Sequence, residues 1–209
     1  MKNRFSGFTL AEVLMTLLII GIVASIVIPA LINETNKVEL KIAAKKAVGA
    51  AQSSYNLAAA ENSGGFGGYT ASTITSYAKF NAIKSKMNVI KTCAYGTGSF
   101  GNCWAKDGVG QPVTYVDHCV KWTNRASGQG SNESFVAGDG SFWMLYNYDG
   151  EVGADLVAVD INGNKGPNDW GEDAFVFIMY DRKLVLGSMG CSFVKRDGSI
   201  IHDFRYLLK

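Results

Sequence analysis

The chain has 209 residues, of which 47% are apolar and 18% are charged, a composition too apolar for an intrinsically disordered segment. Its 20 Lys and Arg residues nearly balance 18 Asp and Glu residues, so the net charge gives no support for a protein that binds nucleic acid. Of 24 glycines, 22 lie at or after Gly49, which separates a glycine-poor start from a loop-rich remainder and excludes collagen-like and coiled-coil chains.

The N-terminal segment contains the longest apolar run of the sequence. From Val13 to Ile32 there are 20 residues without a charge, and a helix of that length spans about 30 Å, the thickness of a bilayer core. Such a run is an ordinary cleaved signal peptide, a permanent membrane anchor, or the hydrophobic start of an exported protein. An ordinary signal peptide is disfavoured, because its apolar region has about 7–15 residues and ends in a small-x-small cleavage site.

A plain membrane anchor does not account for Glu12. A carboxylate near one end of an apolar helix is unfavourable in lipid, and an ionisable residue there is a functional hypothesis by default. No basic residue lies between Phe8 and Ile32. A basic partner of Glu12 must therefore come from outside this segment.

The first residues resemble the class III signal of type IV pilins and type II secretion pseudopilins. A short basic leader ends at Gly7, and Phe8-Thr9-Leu10-x-Glu12 precedes the apolar run. The resemblance implies a prepilin peptidase that cleaves between Gly7 and Phe8 and methylates the new N-terminus. It also implies an inner-membrane assembly platform, other pilin or pseudopilin subunits as partners, and a helix that is loosened at Pro29.

Elementary electrostatics agree with this resemblance. Cleavage would make the amino group of Phe8 a cation, which Glu12 of a neighbouring chain could neutralise in surroundings of low dielectric constant. Only one axial offset between identical helices forms that pair, and a heterologous contact that does not close produces a filament. Loss of Lys2 and Arg4 with the leader would leave 18 basic and 18 acidic side chains, a neutral subunit suited to dense packing.

A helical period continues beyond the apolar run. Apolar side chains recur at intervals of four, four, three, four and three residues, namely Leu40, Ala44, Val48, Ala51, Tyr55 and Ala58. Asn62-Ser63-Gly64-Gly65 then supplies a helix stop. The pattern predicts one long helix from Phe8 to about Glu61, apolar on all sides in its first half and amphipathic in its second, with Pro29 bending or loosening it.

The remainder of the chain has the pattern of a small helix followed by strands. The short helix is marked by Ile74, Tyr77, Phe80, Lys84 and Met87. Predicted strands are Ser134–Ala137, Ser141–Asn147, Ala154–Asp160, Ala174–Tyr180, Lys183–Leu186 and Ser199–Asp203, with hairpin turns at Gly138-Asp139-Gly140 and Asp181-Arg182. This order agrees with the α+β pilin fold, in which the amphipathic half of the helix packs on a mostly antiparallel sheet. The predicted divisions are a leader at 1–7, a transmembrane or filament-core helix at 8–32, an amphipathic half at 33–62 and a globular head at 63–209.

The four cysteines allow three disulfide pairings. An exported domain would oxidise them. Cys93 and Cys103 flank a nine-residue loop that contains three glycines, which favours a local bridge and leaves Cys119 to pair with Cys191. No Cys-x-x-Cys pair suggests zinc. Although His118 precedes Cys119, adjacent side chains usually point apart and no third catalytic group is indicated, so no enzyme is predicted.

An acidic region extends from Asp139 to Asp173, with eight acids and one base, Lys165. Within it, the alternation of Asp160, Asn162 and Asn164 could direct oxygen atoms toward one centre, as calcium requires. It is not an EF-hand, since Lys165 replaces the invariant glycine and Gly171 replaces the bidentate glutamate. The run resembles an Asp-x-Asn-Gly-x-x-Gly-Pro-Asn loop of bacterial pilin-like proteins and, less closely, the calcium loop of major pseudopilins.

Two interpretations of this loop stay open. In the first, calcium binds to Asp160, Asn162, Asn164 and Asp173, with the Lys165 carbonyl or Asn168 completing the shell. In the second, the same Asp and Asn side chains form turns through hydrogen bonds to the backbone, with no ion. No other cofactor is predicted.

These observations predict a structural subunit of a type IV pilus-like or type II secretion pseudopilus filament. It would be made as a single-pass inner-membrane prepilin in contact with lipid, with an extracytoplasmic head. The Lys and Arg residues that flank the apolar run favour the opposite orientation by number, so this topology rests on the leader and on the downstream cysteines. The alternative is a membrane-anchored binding domain that never polymerises and holds a ligand with its tryptophans, Trp104, Trp122, Trp143 and Trp170. Those tryptophans are better explained as buried core residues.

Overall fold

The computed structural model describes residues 7–62, 66, 73–93, 103–104, 133–146, 155–180, 182–187, 193–195, 197–201 and 203–208. They belong to two compact units, Met1–Glu39 and Leu40–Lys209. Helix α1 spans Leu10–Glu61 and contributes residues to both. It begins two residues later than predicted because Thr9 is its N-cap, and it ends where the sequence places the stop. There the side chain of Asn62 donates a hydrogen bond of 2.7 Å to the carbonyl of Ala58.

The N-terminal unit exposes its apolar side chains. From Gly7 to Glu39 every described residue is exposed except Ala24, which is half-buried. In the described part of the chain, α1 is the one helix long and apolar enough to cross a membrane, and its most apolar stretch buries nothing within the chain. Nothing in this unit therefore covers the apolar surface that its own sequence creates.

The distal part of α1 buries one face in the second unit. The buried residues are mostly small, namely Ala44, Ala47, Ala51, Ser54, Tyr55, Ala58 and Ala59, and Leu40 and Val48 pack partly against the core. The predicted stripe is confirmed and is wider than predicted. Tyr55 donates a hydrogen bond of 2.7 Å from its Oη atom to the carbonyl of Tyr180.

A six-stranded sheet forms the layer beneath α1. Its strands are β1 (Val89–Cys93), β2 (Ser134–Ala137), β3 (Phe142–Tyr146), β4 (Asp155–Asp160), β5 (Ala174–Met179) and β6 (Leu184–Leu186). Each strand pairs with the next in antiparallel fashion, so the order along the sheet is the order along the chain. A second helix, α2 (Thr73–Lys84), precedes β1 and confirms the predicted short helix, although Met87 lies beyond its end. The α+β pilin-like fold predicted from the sequence is confirmed.

The β2–β3 hairpin turn is confirmed at Gly138-Asp139-Gly140. Gly140 has a positive φ of 88°, and its N–H donates to the carbonyl of Ala137 over 2.9 Å. The carboxylate of Asp139 accepts hydrogen bonds from the backbone and the hydroxyl of Ser141. Asp139 also lies 3.4 Å from Nζ of Lys46, which links this turn to α1.

Two strands were not predicted, and one predicted strand lies in a separate sheet. Strand β1 is missing from the prediction, and so is β7 (Phe193–Val194). The predicted strand Ser199–Asp203 shortens to β8 (Ile200–Ile201) and pairs with β7 in a separate two-stranded sheet. A 3-10 helix (Arg205–Leu208) follows.

Buried aromatic rings form part of the core of the second unit. The indole of Trp143 lies between the rings of Phe135 and Phe177, with centroid distances of 5.9 and 6.0 Å and nearly parallel planes. Trp104 and Trp170 are also fully buried. These three tryptophans are core residues, whereas Trp122 lies outside the described residues.

Candidate functional site

The predicted processing site lies directly before α1. Gly7, Phe8 and Thr9 precede the first helical residue, Leu10. The side chain of Phe8 is 89% exposed. A side chain added at Gly7 would meet no atom within 4 Å. The segment is therefore accessible to a partner from outside the chain, and the fold of the protein does not itself require glycine at position 7.

Glu12 has a partner that sequence reasoning missed. The backbone N–H and the hydroxyl of Thr9 both donate to Oε2 of Glu12 over 2.8 Å. In return, the N–H of Glu12 donates to Oγ1 of Thr9 over 3.3 Å. This reciprocal arrangement is a capping box, and its signal, a Thr followed three residues later by a Glu, is present in the sequence. Glu12 therefore helps to cap the start of the helix as well as carrying a charge.

Pro29 lies inside α1, which is helical on both sides of it. Proline lacks an N–H, so the helix loses one hydrogen bond at this position. That loosening at Pro29 stays a prediction.

The loop between β4 and β5 is a second candidate site. Asp160 is the last residue of β4 and lies opposite Ala174, the first residue of β5. Residues 161–173 connect them, and the loop closes where the N–H of Ile161 donates to the carbonyl of Asp173 over 2.9 Å. Gly163 has a φ of 65°, and a side chain there would lie 2.8 Å from the carbonyl of Gly140. The glycine is required by both its conformation and its packing.

The loop folds around two carboxylates. Asp173 accepts one backbone hydrogen bond at each oxygen, from the N–H of Asp169 and of Asn168, both over 2.7 Å. Asp160 accepts a hydrogen bond of 3.2 Å from the N–H of Asn162 at its Oδ1 atom. Both carboxylates are fully buried. Both Asp side chains therefore accept hydrogen bonds from the backbone of the loop, as the second interpretation predicts.

Burial and mutual repulsion disfavour the charged forms of this pair. Burial raises the pKa of Asp160 well above its usual value, and the nearby charge of Asp173 raises it further. Burial also raises the pKa of Asp173, while the hydrogen bonds from Asp169 and Asn168 oppose that shift. The two carboxylates therefore form an electrostatically unfavourable pair when both are ionised.

The predicted calcium ligands divide into two groups. Asp160, Asn168 and Asp173 are buried and Asn162 is half-buried, whereas Asn164 and Lys165 are exposed. The amide of Asn162 donates from Nδ2 to the carbonyl of Gly166 over 3.1 Å. Across the described ranges, no three His, Cys, Asp or Glu side chains are grouped as a metal would need. A cation in this loop would depend on two carboxylates together with neutral oxygen atoms.

The C-terminal residues hold the other side of the loop. Tyr206 donates from Oη to the carbonyl of Gly171 over 2.5 Å, and Lys195 forms an ion pair of 2.7 Å with Glu172. The ring of Trp170 packs on Phe193 and Phe204. The sequence gives little sign of these contacts because they join residues far apart along the chain.

The predicted local disulfide is confirmed. Cys93 and Cys103 are bonded, with their Cα atoms 6.0 Å apart. The proposed partners Cys119 and Cys191 lie outside the described residues, as do His118 and His202. The bridge joins the end of β1 to the residue before the buried Trp104.

Comparison with known protein families gives a match in the N-terminal segment. Residues 2–28 match the family described as "Prokaryotic N-terminal methylation motif". No curated protein and no solved structure gives a significant match to the chain. The match covers the predicted leader apart from Met1, the predicted cleavage position after Gly7, Glu12 and most of the apolar run.

Proposed function

We propose that this chain, which carries the prepilin-type signal of the type IV pilin and pseudopilin family and has a pilin-like fold, is a structural subunit of a filament. The filament is of the type IV pilus or type II secretion pseudopilus kind. The subunit is made as a membrane prepilin, cleaved after Gly7, methylated at Phe8 and polymerised through α1. The observation that carries this proposal is the methylation motif at residues 2–28, followed by an apolar helix that nothing in its own unit covers.

The exposed apolar surface of the N-terminal unit supports the proposal that this helix lies first in lipid and then among other subunits. Each large apolar side chain from Val13 to Ile32 exposes between 44 and 70% of its area. Removal of apolar surface from water stabilises a protein by about 25 cal/mol per Å², so this helix is unfavourable in water. Lipid covers it before assembly, and the helices of other subunits cover it afterwards.

The charges at the start of α1 set the axial position of neighbouring subunits. Cleavage after Gly7 creates an ammonium group on Phe8, four residues before Glu12. In the uncleaved chain the Glu12 carboxylate is held by Thr9. A carboxylate has further lone pairs, so the capping box does not prevent Glu12 from pairing with the amine of another copy. We infer that the pair forms between subunits, because an unpaired charge in a helix bundle is strongly destabilising.

The remaining parts of the subunit follow from this assignment. Residues 1–7 are the leader, 8–32 the membrane and filament-core helix, 33–62 the amphipathic half and 63–209 the head. The head is extracytoplasmic, and its Cys93–Cys103 bridge agrees with an oxidising compartment. Its partners are the prepilin peptidase, the inner-membrane assembly platform and other pilin or pseudopilin subunits. No catalytic role is assigned to the chain.

The experiment that tests this proposal is mass spectrometry of the N-terminus of the protein purified from cells, combined with immunogold microscopy of an epitope-tagged chain. The expected result is an N-terminal methylated Phe8 and labelled filaments. An intact Met1 on a chain that stays in the membrane fraction would refute the filament role and favour a non-polymerising anchored domain.

A further inference from the structure

The turns of α1 that follow the apolar run carry a row of positive charges. Four lysines lie between Ile32 and Ala47, against two acids, Glu34 and Glu39. The lysines are Lys37, Lys41, Lys45 and Lys46. The first three are spaced four residues apart, so they are neighbours along one side of the helix. Like charges at this spacing repel one another, so negative charge beside the row would stabilise this part of the helix.

Two of these lysines have no acidic partner in the described part of the chain. Lys37 forms an ion pair of 3.0 Å with Glu34, and Lys46 lies 3.4 Å from a carboxylate of the β2–β3 turn. Lys41 and Lys45 are exposed and form no ion pair with any residue that the structure describes. Their ammonium groups are therefore available to an anionic partner.

Lys41 and Lys45 lie near the end of the segment that is long enough to cross a bilayer. They follow Ile32 by nine and thirteen residues of the same helix. At about 1.5 Å per residue, their Cα atoms are no more than about 14 and 20 Å from the edge of the hydrocarbon core. The headgroup layer covers about 7 Å of that distance, and a lysine side chain, which points back toward the helix N-terminus, covers about 6 Å more. Both ammonium groups therefore come within about 8 Å of the headgroups, the range of a charge at physiological ionic strength.

The acidic region of another copy is a poorer partner for these lysines. Among the acidic side chains that the structure describes between residues 139 and 173, Asp160, Asp169 and Asp173 are buried. Asp139 and Glu172 form ion pairs with lysines of their own chain. The described part of this region therefore presents no free carboxylate, whereas an anionic bilayer presents its phosphates beside the row.

We propose that Lys41 and Lys45 bind the headgroups of anionic phospholipids at the extracytoplasmic surface of the bilayer that holds the subunit before assembly. The inference rests on the proposed membrane prepilin and adds a lipid class to its partners. A lysine near an anionic membrane surface strengthens the contact about fivefold. The contact holds the helix in the membrane, so it must be released when the subunit enters a filament.

The test uses the full-length chain in detergent micelles that contain equal amounts of phosphatidylglycerol and phosphatidylcholine. Native mass spectrometry counts the molecules of each lipid that stay bound to the protein. Wild type is compared with Lys41→Gln/Lys45→Gln and with Lys41→Arg/Lys45→Arg, which keeps both charges. The matched control is Lys91→Gln/Lys183→Gln, which removes two exposed positive charges from the head.

Wild type, the arginine variant and the control should retain phosphatidylglycerol over phosphatidylcholine by about fivefold or more. The Lys41→Gln/Lys45→Gln variant should lose at least about fivefold of that preference. Raising the salt concentration before the measurement should weaken the preference of wild type, because the contact is between charges. The Tm of the head should be the same in all four proteins, which separates lost lipid binding from misfolding.

Two outcomes would overturn the proposal. Equal retention of both lipids by wild type would show that the chain does not select anionic headgroups. An unchanged preference in Lys41→Gln/Lys45→Gln would show that other residues select the lipid, and loss of filaments in that variant would then assign the two lysines to a contact with another copy.

Mass spectrometry of the N-terminus tests the filament role separately. A cleaved and methylated chain without the lysine-dependent lipid preference would refute this inference alone. An intact Met1 together with that preference would refute the filament role alone.

Discussion

The two compact units differ in where the partners of their apolar side chains are found. In the second unit, the small residues of α1 and the rings of the sheet cover one another, and Trp143 is 2% exposed. In the first unit, the apolar residues of the same helix stay exposed, as at Ile19, which is 55% exposed. One helix therefore serves two purposes: its distal part completes a core within the chain, and its proximal part offers a surface to molecules outside the chain.

The largest expected effect concerns the cleavage position. Gly7→Val should abolish processing and filament formation while leaving the head folded, because a side chain at position 7 would contact none of the described residues. Gly21→Val is the matched control for cleavage, since Gly21 is also without described neighbours within 4 Å. Immunoblots of precursor and mature chain, with microscopy of the cells, measure the effect. Normal cleavage of Gly7→Val would contradict the assigned processing site.

A second comparison uses one large apolar residue from each unit. Trp143→Ala removes a ring stacked between Phe135 and Phe177, and we expect it to lower the free energy of unfolding of the head by about 3–5 kcal/mol. Ile19→Ala, in the exposed segment, should change that free energy by less than about 0.5 kcal/mol. Denaturant titration of both variants in micelles tests this difference. Similar losses would mean that the first unit contributes to the core of the head.

The burial of small residues on one face of α1 predicts a smaller effect. Ala51 is 1% exposed on the buried face of the helix, so Ala51→Leu should lower the unfolding free energy by about 1–3 kcal/mol through overpacking. Ile42→Leu, at a position 63% exposed on the same helix, is the control and should have almost no effect on the unfolding free energy. If Ala51→Leu left thermal unfolding unchanged, Ala51 would not lie in a tightly packed part of the core.

The smallest expected effect is a dependence of stability on pH that comes from the second unit. Burial raises the pKa of Asp160, so without a cation the folded state holds a proton that the unfolded state has lost. The stability of the head in chelator should therefore fall as the pH rises above the ordinary pKa of an aspartate side chain. Asp160→Asn should show a smaller fall over the same range. An identical pH dependence in both proteins would contradict the raised pKa.

Much of the fold could be predicted because its signals are local. The end of α1 at Glu61 and strand β2 at Ser134–Ala137 agree with the sequence prediction. Strand β1 was missed because Val-Ile-Lys-Thr-Cys shows no alternation of apolar and polar residues, and its middle residues are exposed. Strand β7 has only two residues and depends on pairing with β8. Such strands are determined by contacts between distant parts of the chain, which no short window contains.

The candidate sites also divide into features with a local sequence signal and features that depend on how the loop folds. The positions of Gly7, Phe8 and Glu12 follow from a short motif. The capping box between Thr9 and Glu12 had a local signal that could have been recognised. By contrast, the sequence could not show that Asp173 accepts two backbone hydrogen bonds or that Asp160 is fully buried, because both depend on how residues 161–173 fold.

The most direct test of the filament role separates the charge of Glu12 from its capping function. Glu12→Gln keeps a side chain that can complete the capping box but removes the charge, whereas Thr9→Ala removes the box and keeps the charge. Electron microscopy of cells that make each variant measures filament formation, after immunoblots show that both are cleaved. We predict few or no filaments with Glu12→Gln and clear filament formation with Thr9→Ala. Abundant filaments with Glu12→Gln would contradict the claim that this carboxylate pairs with the amine of a neighbouring subunit.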